Sequence, residues 1–133
     1  MPIEGVLISV GGEEGYILTA AHVSGKPNRI ARVILTDGTI VRASTLGLDR
    51  GTDAGLIKIT DENWEASKWP YAEMADAASA SLGQWVLALG HPGGYQSDRK
   101  PVVRLGRVIH RFDDVVTTDC TLIGGDSGGP LFG

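Results

Sequence analysis

Cysteine is nearly missing from this chain. Cys120 stands alone among 133 residues, which excludes an internal disulfide and requires no oxidising compartment. Long apolar runs are also missing: "WVLALG" and "GVLISV" are far too short to span a bilayer. The opening "MPIEGVLISVGG" lacks the basic start and long apolar stretch of a signal peptide, so the leader of an exported protein would lie outside it. No run of like charge occurs and the formal net charge is −4, so nothing favours nucleic acid or an anionic membrane as partner. No long stretch keeps a helical period, and no repeat or low-complexity tract stands out.

What remains is ample for a folded domain. Apolar residues make up 42% and charged residues 21%, enough to bury a core in one domain or in two half-domains sharing one. Nineteen glycines punctuate short β-branched runs. The runs "VLISV", "GYILTAA", "RIARVIL", "TIVRASTLG", "GLIKIT", "QWVLALG", "VVRLGRVIH" and "VVTTDCTLI" each read as a strand of ordinary length. Asp37 and Gly38 in "TDGT" mark a hairpin tip. So many short strands with glycine-rich turns predict an all-β, closed or sandwiched architecture. "DENWEASKWPYAEMADAASAS" breaks the pattern and reads as a crossover with a helical turn, separating subdomains at 1–70 and 71–133. "GHPGGYQSDRKP" reads as a long, exposed and mobile polar loop.

Chemistry concentrates at "GGDSGGPLFG", where Ser127 sits among glycines that let a ligand approach the backbone. A serine is a poor nucleophile at its free pKa and needs a neighbouring base. His22 closes the run "GYILTAAH", which suits a base projecting from a strand end into a cleft. His91 lies in a loop and His110 follows a strand-like run. A histidine base needs a carboxylate to fix its tautomer. Asp53 in "GTDAGLIKI" enters a strand much as His22 leaves one, with Asp49 of "LGLDRGTD" as its rival.

The segments "TAAH", "TDAGLIKI" and "GDSGGP", in this order, resemble those of a chymotrypsin/trypsin-fold serine protease. "LGQWVLALGHPGG" and the compact loops make the chain most similar to the bacterial HtrA/Deg branch, from "GVLI" to "GPLFG". The resemblance implies two β-barrels, with His22 and Asp53 in the first and Ser127 in the second. It implies a serine endopeptidase with His22 as base, Asp53 as orienter, Ser127 as nucleophile, and the amides of Gly125 and Ser127 as oxyanion hole. No cofactor or metal is implied, and the substrates would be polypeptides. Thr121, Leu122 and Ile123 fall at the substrate pocket. Without a charge there, a small or medium apolar residue is expected at the cleavage site. A periplasmic or secreted parent also follows from the resemblance.

Two departures qualify it. The HtrA/Deg branch usually carries asparagine before the serine, whereas this chain has Asp126. A buried carboxylate without a partner is costly, so a cation, an amide or water is expected beside it. Family members also continue past "GGPL" into two more strands. Gly133 therefore reads as a boundary left by truncation or proteolysis, with a second barrel lacking its last strands. Such a chain would be weakly active or inactive, with an open edge available for self-association.

Competing readings fare worse. "GDSGG" fits the α/β-hydrolase elbow, but that fold needs its acid and histidine after the serine, and "GGPLFG" holds neither. His91, His110 and Cys120 match no tight metal-ligand spacing. "LGHPGG" lacks the Lys-Ser/Thr pair of a phosphate loop. Cys120 reads as a small buried hydrophobe. The remaining alternative is a catalytically silent trypsin-fold binding or scaffold module, against which the complete His22, Asp53 and Ser127 set speaks.

Overall fold

The structure, a computed structural model, describes residues 4–8, 14–112 and 115–133. They form two compact units, Gly5–Glu73 and Glu4 with Met74–Gly133.

The first unit is a five-stranded antiparallel sheet in the order β1-β2-β5-β4-β3. Its strands are β1 (Val6–Ile8), β2 (Tyr16–Ala20), β3 (Ile30–Ile34), β4 (Ile40–Asp49) and β5 (Ala54–Ile59). The last two residues of the "VLISV" run, 9 and 10, lie outside the described residues. Alternate residues of a strand face opposite sides of its sheet, and β5 follows that rule by burying Gly55, Ile57 and Ile59. These isoleucines pack with Ile17, Val41 and Ala43, and Trp64 covers the cluster from the segment after β5. The Asp37–Gly38 tip joins β3 to β4 as the sequence suggests: Gly38 takes a φ of 87°, and Asp37 Oδ1 accepts the Thr39 amide at 2.8 Å. Between β5 and the next strand the chain carries two short 3-10 turns, Ala66–Lys68 and Ala77–Ser79.

The second unit is a four-stranded antiparallel sheet in the order β8-β7-β6-β9, with β6 (Trp85–Gly90), β7 (Val102–Phe112), β8 (Val115–Thr118) and β9 (Leu131–Phe132). Its core is small, formed by Val86, Ala88, Val108 and Cys120 with Val116 against them.

The structure corrects the strand reading in two places. The run "VVTTDCTLI" ends as a strand at Thr118. There the Asp119 carboxylate accepts the Arg107 amide at 2.7 Å, so a side chain takes the place of the next ladder bond and the chain peels away. Conversely, Leu131–Phe132 forms a short strand on β6, pairing Ala88 with Leu131 and Leu87 with Phe132. The loop at 90–101 is also less loose than its composition suggests. Arg99 Nη2 donates to the carbonyls of Pro92 and Gly94 at 2.7 and 2.8 Å, drawing the loop back on itself.

Candidate active site

In the first unit, strand register brings an imidazole and a carboxylate together. Antiparallel pairing of β2 with β5 sets Ala20 opposite Ala54, so the residues just after β2 and just before β5 meet at one end of the sheet. His22 does not extend the strand as the sequence reading had it. It sits in a single helical turn, α1 (Ala21–Ser24), which swings the chain back over the sheet end. The turn is tied to Asp53 three ways. The Ala21 amide donates to the Asp53 carbonyl at 2.9 Å, and the His22 amide donates to Asp53 Oδ1 at 3.1 Å. His22 Nδ1 lies 3.0 and 2.8 Å from the two carboxylate oxygens.

An ionised carboxylate can only accept, so Nδ1 carries a proton, and in the neutral ring the lone pair then falls on Nε2. Asp53 reaches this position with a φ of 54°, a left-handed backbone that a non-glycine residue adopts at a cost. The bonds from the His22 amide, and then from its ring, favour the charged carboxylate and hold its pKa below the ordinary aspartate value. Asp49 is placed otherwise. Its oxygens accept the Gly51 amide at 2.9 Å and the Thr52 hydroxyl at 3.0 Å, closing the turn into β5.

In the second unit, Ser127 is exposed on the turn that leads into β9. The preceding residues form a tight loop: the Asp126 amide donates to the Ile123 carbonyl at 3.1 Å, and the Gly129 amide to the Asp126 carbonyl at 2.9 Å. Gly125 is required there. Its φ is 102°, and a Cβ would lie 2.5 Å from the Gly94 nitrogen and 2.6 Å from the His91 oxygen. Among the described residues the amides of Gly125 and Ser127 have no acceptor, which suits them to receive a ligand. Thr121, Leu122 and Ile123 are exposed. Leu122, with Asp126, Pro130 and Leu131, lines a cavity of about 140 Å³.

Two features of this unit were not readable from sequence. Asp126 is buried, and its counter-ion is Arg104 on β7. His91 pairs through Nδ1 with Glu4, and both side chains are largely buried. Cys120 is free and buried in the core, and among the described residues no group of three or more His, Cys, Asp or Glu side chains could hold a metal ion.

The sequence profile of the trypsin-like peptidase domain matches residues 4–133. The chain belongs to the trypsin-like peptidase family. Within this family it is similar to probable periplasmic serine endoproteases, DegP-like. It is 34% identical over 128 residues to that of Chlamydia trachomatis serovar D, and 33% identical over 124 residues to that of Halomonas elongata. Each alignment covers 90% of this chain but only 24% and 25% of the relative, so the chain spans about a quarter of the length of the curated relatives it matches. Among solved structures, an HtrA-type protease AlgW with decapeptide superposes with a TM-score of 0.72 at 26% identity, covering 96% of this chain and 38% of that one. Family, relatives and fold place the chain in the HtrA branch of trypsin-fold serine proteases, as its motifs suggest. No helix among the described residues is long and apolar enough to cross a membrane.

Proposed function

We propose that this chain carries the catalytic apparatus of a serine endopeptidase that hydrolyses peptide bonds through an acyl-enzyme. The observation that carries the reading is the His22 ring, held through Nδ1 by both oxygens of Asp53 with Nε2 left to accept a proton. In this scheme Ser127 Oγ attacks the scissile carbonyl while its proton passes to Nε2. The carbonyl oxygen becomes an oxyanion received by the Gly125 and Ser127 amides. Collapse of that intermediate breaks the C–N bond, and the proton on Nε2 goes to the departing amine. Water then attacks the acyl-serine, giving its proton to the same nitrogen, and the acid leaves as Ser127 recovers its hydrogen. Asp53 stays ionised throughout and steadies the imidazolium at each transfer.

The substrates are polypeptides, with a small or medium apolar side chain at the cleaved position. Thr121, Leu122 and Ile123 bring no charge to the pocket, and Leu122 lines a cavity of about 140 Å³ with Pro130, Leu131 and Asp126, whose charge is paired with Arg104. The names of the relatives support a periplasmic setting for the parent protein. A library of internally quenched peptides tests this with the natural full-length protein. Cleavage is expected after alanine, valine and similar residues, and at least ~10-fold more slowly after lysine or arginine, whose charge the pocket does not match. A folded protein that cleaves none of the peptides would overturn the reading, and preference for a basic residue would overturn the pocket assignment.

A further inference from the structure

Asp126 stands between the two residues whose amides would receive the oxyanion, and its side chain points inward. The Asp126 side chain is 5% exposed and that of Arg104 13%, so this is a buried ion pair rather than a surface one. Asp126 Oδ2 closes its own turn by accepting the Ile123 amide at 2.8 Å. Arg104 Nη2 lies against that same oxygen, off the line of a hydrogen bond, while Nε donates to the Thr121 carbonyl at 3.2 Å and Nη1 to the Val102 carbonyl at 2.9 Å. One guanidinium therefore grips both ends of the segment 121–126 and anchors them to β7. The pocket for the carboxylate is tight: a Cβ on Gly90 would fall 2.3 Å from Asp126 Oδ1, so β6 leaves room for this side chain only because residue 90 has none.

We infer that Arg104 is a positioning residue for the oxyanion-binding turn. It touches neither substrate nor nucleophile. It fixes Asp126, and through Asp126 the peptide units on either side that present the Gly125 and Ser127 amides. It also fixes Thr121 at the head of the pocket segment. The inference rests on the peptidase reading above. Lysine cannot replace arginine here, because a compact ammonium on a flexible stem lacks the planar fork that reaches three acceptors at once.

The test compares the wild-type full-length protein, Arg104→Lys, and the double variant Arg104→Met/Asp126→Asn, with active sites titrated by a fluorophosphonate. Arg104→Lys keeps a counter-ion for Asp126. The double variant removes both buried charges, a change that folded proteins often tolerate. For both, thermal unfolding remains cooperative, kcat per titrated site falls about 10- to 100-fold, and KM changes less than about threefold, because the lost alignment is felt in the transition state. A purely structural role would lower the melting temperature and the titratable fraction and leave kcat per site unchanged. Wild-type kcat per site in either folded variant would overturn the proposal, and so would failure of both to fold, which would assign the pair to stability. If wild-type protein does not react at Ser127 at all, the peptidase reading falls and this proposal with it.

Discussion

Ser127→Ala is expected to lower kcat for peptide cleavage by about six orders of magnitude, the loss measured when the nucleophile of such a triad is removed in other proteases. Ser127 is exposed on its turn, so removing one hydroxyl should leave stability within about 0.5 kcal/mol of wild type. The small activity that remains over water would come from substrate binding and the free amides of Gly125 and Ser127. Steady-state hydrolysis of the best library peptide, with circular dichroism on the same samples, checks both halves. A folded Ser127→Ala protein with more than about a hundredth of wild-type activity would mean that another group attacks, since nothing else in a triad mechanism supplies the nucleophile.

Asp53→Asn comes next in size, with kcat down about 10⁴-fold at neutral pH. A carboxamide can offer an N–H to Nδ1, and the ring then carries its proton on Nε2, where it cannot accept one from serine. The same substitution gives a pH signature. Bonds from the His22 amide and ring hold the Asp53 pKa below that of the unfolded chain. A group whose pKa is depressed on folding contributes stability above its unfolded value, about 3.9 for aspartate, and loses it as pH falls through the lower folded value. Thermal unfolding of wild type and Asp53→Asn should therefore differ most near neutral pH, with the gap closing below about pH 4. Both side chains are more than half exposed, so the gap is small and should shrink further with added salt. A gap that widens in acid would contradict the assignment of the bonded, ionised carboxylate.

Local signals carried much of the architecture. Short β-branched runs between glycines locate the strands because sheet formation needs alternation and turns, both visible within a few residues. The Asp37–Gly38 tip is legible for the same reason. Leu131–Phe132 escaped because two residues make a strand only when β6 lies beside them. Residues 119–123 were overextended because nothing local announces that the Asp119 side chain will take the Arg107 amide. His22 turned into a helical turn rather than a strand end through its bonds to Asp53, a residue distant in the chain.

The candidate site divides in the same way. Glycine-rich motifs flag Ser127 and its neighbours, since the backbone there must approach other backbone closely, as Gly125 does against His91 and Gly94. The partner of Asp126 had no such flag. A buried carboxylate demands compensation, and sequence reasoning could state that demand without naming the cation. Arg104 sits in "VVRLGRVIH", where an arginine among alternating apolar residues reads as one more outward-facing strand position. Only the fold of the second sheet brings residues 104 and 126 together.

In the proposed mechanism His22, oriented by Asp53, activates Ser127. Fluorophosphonate labelling followed by peptide mapping measures this most directly, because the reagent reacts with an activated serine and not with an ordinary one. A single adduct on Ser127 is expected in the full-length protein, lost in His22→Ala protein that remains folded. An adduct that forms just as fast without the His22 imidazole, or a folded wild-type protein that takes up no label, would contradict it.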